Sequence, residues 1–325
     1  MTTSKVGIKD IAEMAGVSAS TVSKVLRNYP NIAPKTKEKV MAVINSTGYI
    51  PNAVASALSS KQNKRIALFV YVNDKFQQID EINMLYIQGA FDVAHSRNLE
   101  LLTVFNDSIE KLSKEETARY FHSIFADTII VFGLNKNDEK IHYLARQDSF
   151  RMVVVDASIE RENVSCVMID HEKAQYETAD KICDFGDHVL YLRGKDDGYV
   201  TEMRLAGMER LAKEKKLKLD IVNGEFSESK AYEIVKNLNC HYDAIVCASD
   251  LMAIGARRAL PESTDVKISG FDGIRLMGYV AQDVITCRQN FYEIGGETVK
   301  AAENLRNGEK GKHVILPYEI TRITH

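Results

Sequence analysis

The chain has 325 residues, a formal net charge of −3 and a hydrophobic share of 45%, which suits a folded protein of more than one domain and excludes a disordered or fibrous chain. It contains no run of 18 apolar residues and no apolar segment at the N-terminus, so neither a membrane span nor a secretory signal is expected. Five scattered cysteines predict reduced thiols and a cytoplasmic location.

The first residues have the pattern of a helix-turn-helix. Four apolar residues recur at i, i+3, i+4 and i+7 and therefore share one helix face: Ile8, Ile11, Ala12 and Ala15. Gly16 allows a tight turn after this helix, and Ser18 is a suitable N-cap for a second helix. That helix turns Val22, Val25 and Leu26 inward and leaves a small, polar and basic outer face, which is typical of a recognition helix.

A third helix is predicted to begin near Pro34 and to end at Gly48, with Val40, Val43 and Ile44 on its inner face. Residues 1–62 carry eight Lys or Arg and three Asp or Glu, a net charge of +5, so residues 63–325 carry −8. A basic module joined to an acidic body is typical of a protein that binds nucleic-acid phosphates. We therefore predict a DNA-binding headpiece over residues 1–50 and a hinge helix and linker over 51–62.

This region strongly resembles the lactose-repressor/galactose-repressor family of bacterial transcription regulators. The resemblance rests on IKDIA at 8–12, AGVS at 15–18, STVSKVL at 20–26 and GYIPNAVA at 48–55 followed by Leu58. It implies three groups of DNA contacts. The base-reading positions in the major groove are Ala19, Ser20 and Lys24; the phosphate contacts are Ser18, Thr21 and Ser23; the hinge-helix residues in the minor groove are Asn52, Ala55 and Leu58.

Two residues of this region leave alternatives open. The family usually has Asn where this chain has Arg27, so Arg27 is either a further phosphate contact or none. Leu58 is either the wedge that opens a base step or a core contact at the domain boundary. By resemblance, the hinge helix forms only on operator DNA, because so short a segment is not a stable helix alone.

The body, residues 63–325, alternates short apolar runs with helical stretches, which predicts α/β lobes with parallel, doubly wound sheets. The predicted strands are 66–72, 99–105, 128–132, 152–155, 189–192, 244–248 and 266–271, with further strand-like runs at 314–316 and 320–323. The predicted helices are 82–97, 175–184, 202–215, 229–237, 251–260 and 292–306. The resemblance implies two lobes of the periplasmic-binding-protein type with three crossings between them. We assign lobe 1 to about 63–160 and 288–313, and lobe 2 to about 161–287 and 314–325.

Polar residues follow three of these strands, and ligands of doubly wound sheets gather at the carboxyl ends of strands. By resemblance, the effector cleft contains Asp156, Arg204, Ser249, Asp272 and Phe291. The family commonly has Asn at the position of Ser249, which is a shorter donor. Residues 73–83 also depart from the family, so we expect an effector larger than or different from a simple hexose, with Phe76 or Gln78 as contacts.

These features predict a repressor of carbohydrate-utilisation genes that acts as a homodimer on operator DNA and responds to a sugar effector. The alternative is a global regulator that binds a phosphorylated phosphocarrier protein. An enzyme is not expected, because the chain has no Walker loop, no HExxH and no GxSxG. We therefore predict no catalytic residue, metal or cofactor, and no membrane partner. Four histidines are expected to be surface or capping residues: His142, His171, His188 and His241.

Overall fold

The computed structural model describes residues 7–26, 32–47, 65–71, 81–280 and 283–323. The chain divides into two compact units, Met1–Asn63 and Lys64–His325. The predicted hinge segment 51–62 lies outside the described residues, as do Arg27, Phe76 and Gln78.

The headpiece contains three described helices: α1 (Ile8–Ala15), α2 (Ala19–Leu26) and α3 (Pro34–Thr47). Gly16 ends α1 in the left-handed conformation with φ 62°, where a side chain would be strained. The Ser18 hydroxyl accepts a hydrogen bond from the Thr21 backbone N–H at 3.2 Å, as expected of an N-cap. The buried core of the unit combines one face from each helix: Ile11, Ala12, Ala15, Val22, Val25, Val40 and Ile44.

The body is an alternation of strands and helices. Its strands are β1 (Ile66–Val70), β2 (Leu101–Phe105), β3 (Thr128–Phe132), β4 (Arg151–Val155), β5 (Val164–Ile169), β6 (His188–Arg193), β7 (Lys218–Asn223), β8 (Ala244–Cys247), β9 (Lys267–Ser269), β10 (Val284–Gln289), β11 (His313–Leu316) and β12 (Tyr318–Ile323). Its helices are α4 (Glu81–Ser96), α5 (Lys114–Ser123), α6 (Glu139–Ala145), α7 (His171–Asp180), α8 (Tyr199–Lys215), α9 (Glu228–Lys236), α10 (Asp250–Ala259), α11 (Met277–Val280) and α12 (Phe291–Arg306).

The strands form two six-stranded sheets, one in each lobe. The first has the order β11-β5-β4-β3-β1-β2 and is parallel throughout. The second has the order β12-β10-β9-β8-β6-β7 and is parallel except for the β10–β12 pair. The two orders correspond strand for strand, so the halves repeat one topology although their sequences show no repeat. Helices cover both faces of the first sheet, which explains why its central strands are buried throughout.

The chain crosses between the lobes three times, and each crossing is a single residue. Asp170 lies between β5 of the first sheet and α7, which packs on the second lobe. Asn290 lies between β10 of the second sheet and α12, which packs on the first lobe. Pro317 separates β11 of the first sheet from β12 of the second.

These crossings correct the predicted lobe boundaries. The sequence assigned 161–287 and 314–325 to lobe 2, but β5 and β11 pair with each other in the first sheet. The first lobe therefore continues to Ile169 and resumes at α12, ending at Leu316. The prediction was wrong because β5 was not recognised as a strand, so the first crossing was placed too early. No helix within the described ranges has the length and apolar character needed to span a membrane.

Candidate ligand cleft and nucleic-acid interface

The outer face of α2 presents the small polar residues that the sequence assigned to DNA. Ser20 and Lys24 are exposed, whereas Ala19 and Ser23 are partly buried beside them. The Ser18 hydroxyl also lies 2.8 Å from the hydroxyls of Ser20 and Thr21, so these side chains form one hydrogen-bonded group at the start of the helix. The predicted hinge contacts Asn52, Ala55 and Leu58 lie outside the described residues.

In the body, Asp156 follows β4 and is the cleft carboxylate of the first lobe. Its φ of 56° is unusual for a residue other than glycine, and such strain costs about 1–3 kcal/mol. The Tyr86 hydroxyl of α4 donates to its Oδ2 at 3.1 Å, and His171 Nε2 lies 2.8 Å from its Oδ1. Burial opposes the charge of this carboxylate, but the contacts with His171 and Arg204 outweigh burial and lower the pKa of Asp156 below its ordinary value.

Arg204 is the buried cation of the second lobe. It lies on α8, and its guanidinium stacks on the Phe271 ring at 3.7 Å from the ring centroid. Its Nε donates to His171 Nδ1 at 3.4 Å, its Nη1 donates to the Ala248 carbonyl at 2.5 Å, and its Nη2 donates to Asp272 Oδ1 at 3.4 Å. The side chain is only 5% exposed, so its charge is balanced by carboxylates and a carbonyl rather than by solvent.

Asp272, after β9, is the matching carboxylate of the second lobe. It also has a positive φ, 120°, and it accepts a hydrogen bond from Gln289 Nε2 at 3.2 Å. Burial raises the pKa of Asp272 to about 7, although Arg204 opposes this rise. Nearby Asp250 accepts from the Thr286 hydroxyl at 2.6 Å, and burial raises the pKa of Asp250 to about 6. Two carboxyls thus share the charge of one arginine.

The remaining two predicted effector residues have structural partners. Ser249 is the N-cap of α10, and its hydroxyl accepts from the Met252 N–H at 3.3 Å. Phe291 is 5% exposed and packs edge-on against Tyr86, with ring centroids 5.3 Å apart. The structure therefore brings Asp156, Arg204 and Asp272 into one chain of contacts and places Ser249 and Phe291 beside it without a polar contact to it.

Sequence reasoning missed three residues of this chain of contacts, Tyr86, His171 and Gln289. His171 was expected at the surface or as a cap, but its side chain is fully buried between the lobes, so that prediction was wrong. The signal that could have found it is its place directly after the first crossing. We refer below to the cleft network, which consists of Tyr86, Asp156, His171, Arg204, Asp272 and Gln289.

The lobes also meet at two edges. On one edge, Asn135 pairs with Gly198 in an isolated β-bridge, and the Lys136 N–H donates to the Asp197 carbonyl at 2.9 Å. On another, the Arg275 N–H donates to the Glu81 carboxylate at 3.1 Å. These contacts join the two lobes outside the cleft network.

A cavity of about 700 Å³ opens beside the second of these edges. Within the described ranges its lining includes Gln289 and one of the five predicted effector residues, Phe291. The other four, Asp156, Arg204, Ser249 and Asp272, do not line it. Of these four, Asp156 is partly buried and the other three are buried.

Two family models match this chain. Residues 7–52 match the bacterial regulatory proteins of the lacI family, and residues 92–302 match the periplasmic binding proteins and sugar binding domain of the LacI family. The second match alone spans more than half of the chain. The chain belongs to the LacI family.

This LacI-family regulator is similar to curated relatives along nearly its whole length. It is 27% identical to the catabolite control protein A of Priestia megaterium over 97% of both chains. It is 28% identical to the transcriptional regulator MalR of Clostridium butyricum over 96% of this chain and 97% of that one. Among solved structures, a lac repressor dimer bound to operator and an anti-inducer matches 99% of both chains with a TM-score of 0.82 and 22% identity, a likeness of fold. The predictions of a transcription regulator and of its two-part fold are therefore confirmed.

Among the residues that the structure describes in this LacI-family regulator, no group of three or more His, Cys, Asp or Glu side chains is placed to hold a metal ion. All five cysteines are free thiols, and Cys240 is the exposed one.

The two cleft carboxylates are expected to affect stability with opposite pH dependence. Because the folded-state pKa of Asp272 is raised to about 7, the folded chain holds an extra proton between pH 4 and 7. Its contribution to stability falls as pH rises through that window, by about 1 kcal/mol for each pH unit. Asp272→Asn should reduce the fall of the body's free energy of unfolding between pH 4 and 7, measured by urea unfolding, and leave the part below about pH 6 that belongs to Asp250.

Asp156→Asn is the matched control. Because the pKa of Asp156 is lowered in the folded wild-type chain, the stability that this carboxylate contributes is lost only as pH falls below about 4. That variant should change the acid side of the profile and keep most of the fall between pH 4 and 7, because burial raises the pKa of Asp272 more than the charge of Asp156 does. Equal profiles for the two variants would contradict the assignment of the raised pKa to Asp272.

Proposed function

We propose that this regulator is a repressor of carbohydrate-utilisation genes whose operator affinity is controlled by a sugar bound between its lobes. The observation that carries the proposal is the junction of Asp156 with Arg204 and Asp272 through His171. Asp156 belongs to the first lobe and the other three to the second. A ligand that replaces this junction must change how the lobes are held together, which is the requirement for allosteric control.

The chemistry of the site suits a polyhydroxy ligand. Each carboxylate of Asp156 and Asp272 can accept two hydroxyl hydrogens, and Arg204 can donate to ring and hydroxyl oxygens. Phe291 offers an apolar face at the border of the cavity. The hydroxyl of Ser249 is already hydrogen-bonded, because it caps the start of α10. We therefore assign the effector contacts to Asp156, Arg204 and Asp272, with Phe291 and Ser249 at the border.

The DNA contacts belong to the headpiece. Ala19, Ser20 and Lys24 read bases in the major groove, while Ser18, Thr21 and Ser23 hold phosphates. Asn52, Ala55 and Leu58 extend the contact into the minor groove. We propose that two chains bind together as a homodimer, so that two headpieces meet the two halves of a pseudo-palindromic operator.

A thermal-shift panel of monosaccharides and disaccharides tests the effector. A sugar that binds only the folded body should stabilise it by about 2.7 kcal/mol at a concentration of 100 times its Kd, and so raise Tm. The shift should persist in Lys24→Ala, whose change lies in the other unit. If every sugar left Tm unchanged while a phosphorylated compound or a nucleoside raised it, the effector would be that compound and the proposal of a sugar effector would be wrong.

Lys24→Ala tests base reading. Because Lys24 is exposed on α2 and a lysine can donate to guanine O6 and N7, its loss should weaken operator binding by about 1–3 kcal/mol and relax the preference at one base pair. The measurement is fluorescence anisotropy with an operator and its single-base variants. Lys35→Ala removes the same charge at an exposed position on α3 and should preserve sequence preference. An unchanged preference in Lys24→Ala would remove Lys24 from base reading.

The second candidate is a global regulator co-regulated by a phosphorylated phosphocarrier protein. The similarity to catabolite control protein A supports this second candidate. The two candidates differ in what binds the body. Binding of the phosphocarrier to the immobilised full chain, with no heat of binding for any sugar in calorimetry, would select this candidate over the first.

A further inference from the structure

His171 occupies the middle of the cleft network. Its Nε2 faces Asp156 Oδ1 of the first lobe at 2.8 Å, and its Nδ1 receives the Nε–H of Arg204 from the second lobe at 3.4 Å. An arginine can only donate, so Nδ1 accepts and the ring proton lies on Nε2, which donates to Asp156. One neutral ring therefore satisfies both partners, whereas an imidazolium would present a proton to the guanidinium.

The position of His171 in the chain links it to the motion of the lobes. It directly follows Asp170, the first crossing, and Gln289, at one end of the cleft network, directly precedes Asn290, the second crossing. Asp170 and Asn290 have nearly the same backbone conformation, φ −76° with ψ 87° and φ −91° with ψ 79°. Each of these crossings is therefore next to a residue of the cleft network.

We propose that His171 is a positioning residue that joins Asp156 to Arg204 as a neutral Nε2–H imidazole, and that this link couples lobe closure to the orientation of Arg204. The proposal rests on the proposed cleft, but its test needs no effector. Failure of the sugar panel and failure of this proposal can therefore be told apart.

The surroundings of the ring favour the neutral form. The charged and titratable groups that face it are Asp156 after β4, Arg204 on α8 and Asp170 at its own helix start, with Tyr86 and Asp272 one contact further along the network. Burial lowers the pKa of His171, and although Asp156 opposes this, the pKa stays below its ordinary value. The Phe271 ring stacks near the imidazole, at 5.9 Å between centroids, and adds an apolar wall.

The first experiment is a long-range ¹H–¹⁵N spectrum of full-length protein with ¹⁵N-labelled histidine. The chain has eight histidines, and the signal of His171 is the one that disappears in His171→Gln. We expect the neutral Nε2–H tautomer at pH 7 and above. An Nδ1–H tautomer, or an imidazolium at pH 6.5, would overturn the proposal without any folding question, because the measurement is made on the wild-type chain.

The second experiment compares two variants that each keep half of the link. Asn places its amide near the position of Nδ1, and Gln places its amide near that of Nε2, so His171→Asn loses the contact to Asp156 and His171→Gln keeps it. The reporter is the Lys136 amide, which is bonded across the lobes to Asp197 and exchanges when they separate.

We expect hydrogen exchange at Lys136 to be about tenfold faster in ligand-free His171→Asn and unchanged in His171→Gln. Faster exchange in both variants, or in neither, would overturn the assignment, because a merely structural role would affect them alike. Headpiece effects cancel in this comparison, since both variants retain the same headpiece.

Discussion

Replacement of Arg204 by alanine should abolish the sugar-dependent change in operator affinity and destabilise the body by about 3–5 kcal/mol. The guanidinium is almost fully buried and is hydrogen-bonded to Asp272, His171 and the Ala248 carbonyl. Its removal leaves buried carboxyls without their cation and a carbonyl without its donor. The measurements are urea unfolding of the body and operator binding with and without the sugar that the panel identifies.

Arg210→Ala is the matched control for this substitution. It removes another arginine from the same helix, α8, but Arg210 is 43% exposed and pairs with Glu172 at the surface. An exposed ion pair contributes about 0–1 kcal/mol, so this variant should unfold near the wild-type midpoint and keep its effector response. If Arg204→Ala retained the response, the effector would have to bind elsewhere, for example in the neighbouring cavity.

A second large effect is expected in the headpiece, where Ile11→Ala should abolish operator binding while the body keeps its own unfolding transition. Ile11 is fully buried at the meeting point of the three helices. The truncation costs about 2–5 kcal/mol, most of the stability that so small a unit can have. Anisotropy with operator DNA measures the loss, and calorimetry separates the transitions of the two units.

Met14 supplies the comparison for Ile11. It lies on the same helix, α1, but is 58% exposed, so Met14→Ala removes an apolar side chain without opening a cavity in the core. We expect operator affinity within a factor of a few of the wild type. Loss of binding in both variants would point to the outer face of α1 as a DNA contact instead of to the core.

The sequence patterns predicted most of the fold because the signals were local. The spacing of Ile8, Ile11 and Ala15 sets the inner face of α1, and β3 occupies the predicted residues, Thr128–Phe132. Strands β5, β7 and β10 and helices α5, α6 and α11 were missed. In β5, a serine and a cysteine interrupt the apolar run although every residue is buried, and β7 is a half-exposed edge strand that begins with a lysine. Only pairing with neighbouring strands distinguishes such segments from loops.

Part of the cleft was predictable from polar residues at strand ends together with the family resemblance. Asp156 and Asp272 follow strands, whereas Arg204 on α8 was named by the resemblance. Tyr86 and His171 lie on helices, and Gln289 ends β10, a strand that the sequence did not predict, so the tertiary fold alone brings them to the carboxylates. The roles of the neutral ring and of the raised pKa of Asp272 depend on burial between lobes, which periodicity does not encode.

The three one-residue crossings have a thermodynamic consequence. Each residue has two soft torsion angles and proline has one, so about five backbone angles lie at the crossings between the lobes. Ordering a residue costs about 1–2 kcal/mol of conformational entropy, and here very few residues have to be ordered on closure. A small effector therefore loses little of its binding free energy to stiffening the joint, and even a weakly bound metabolite can select one arrangement of the chain.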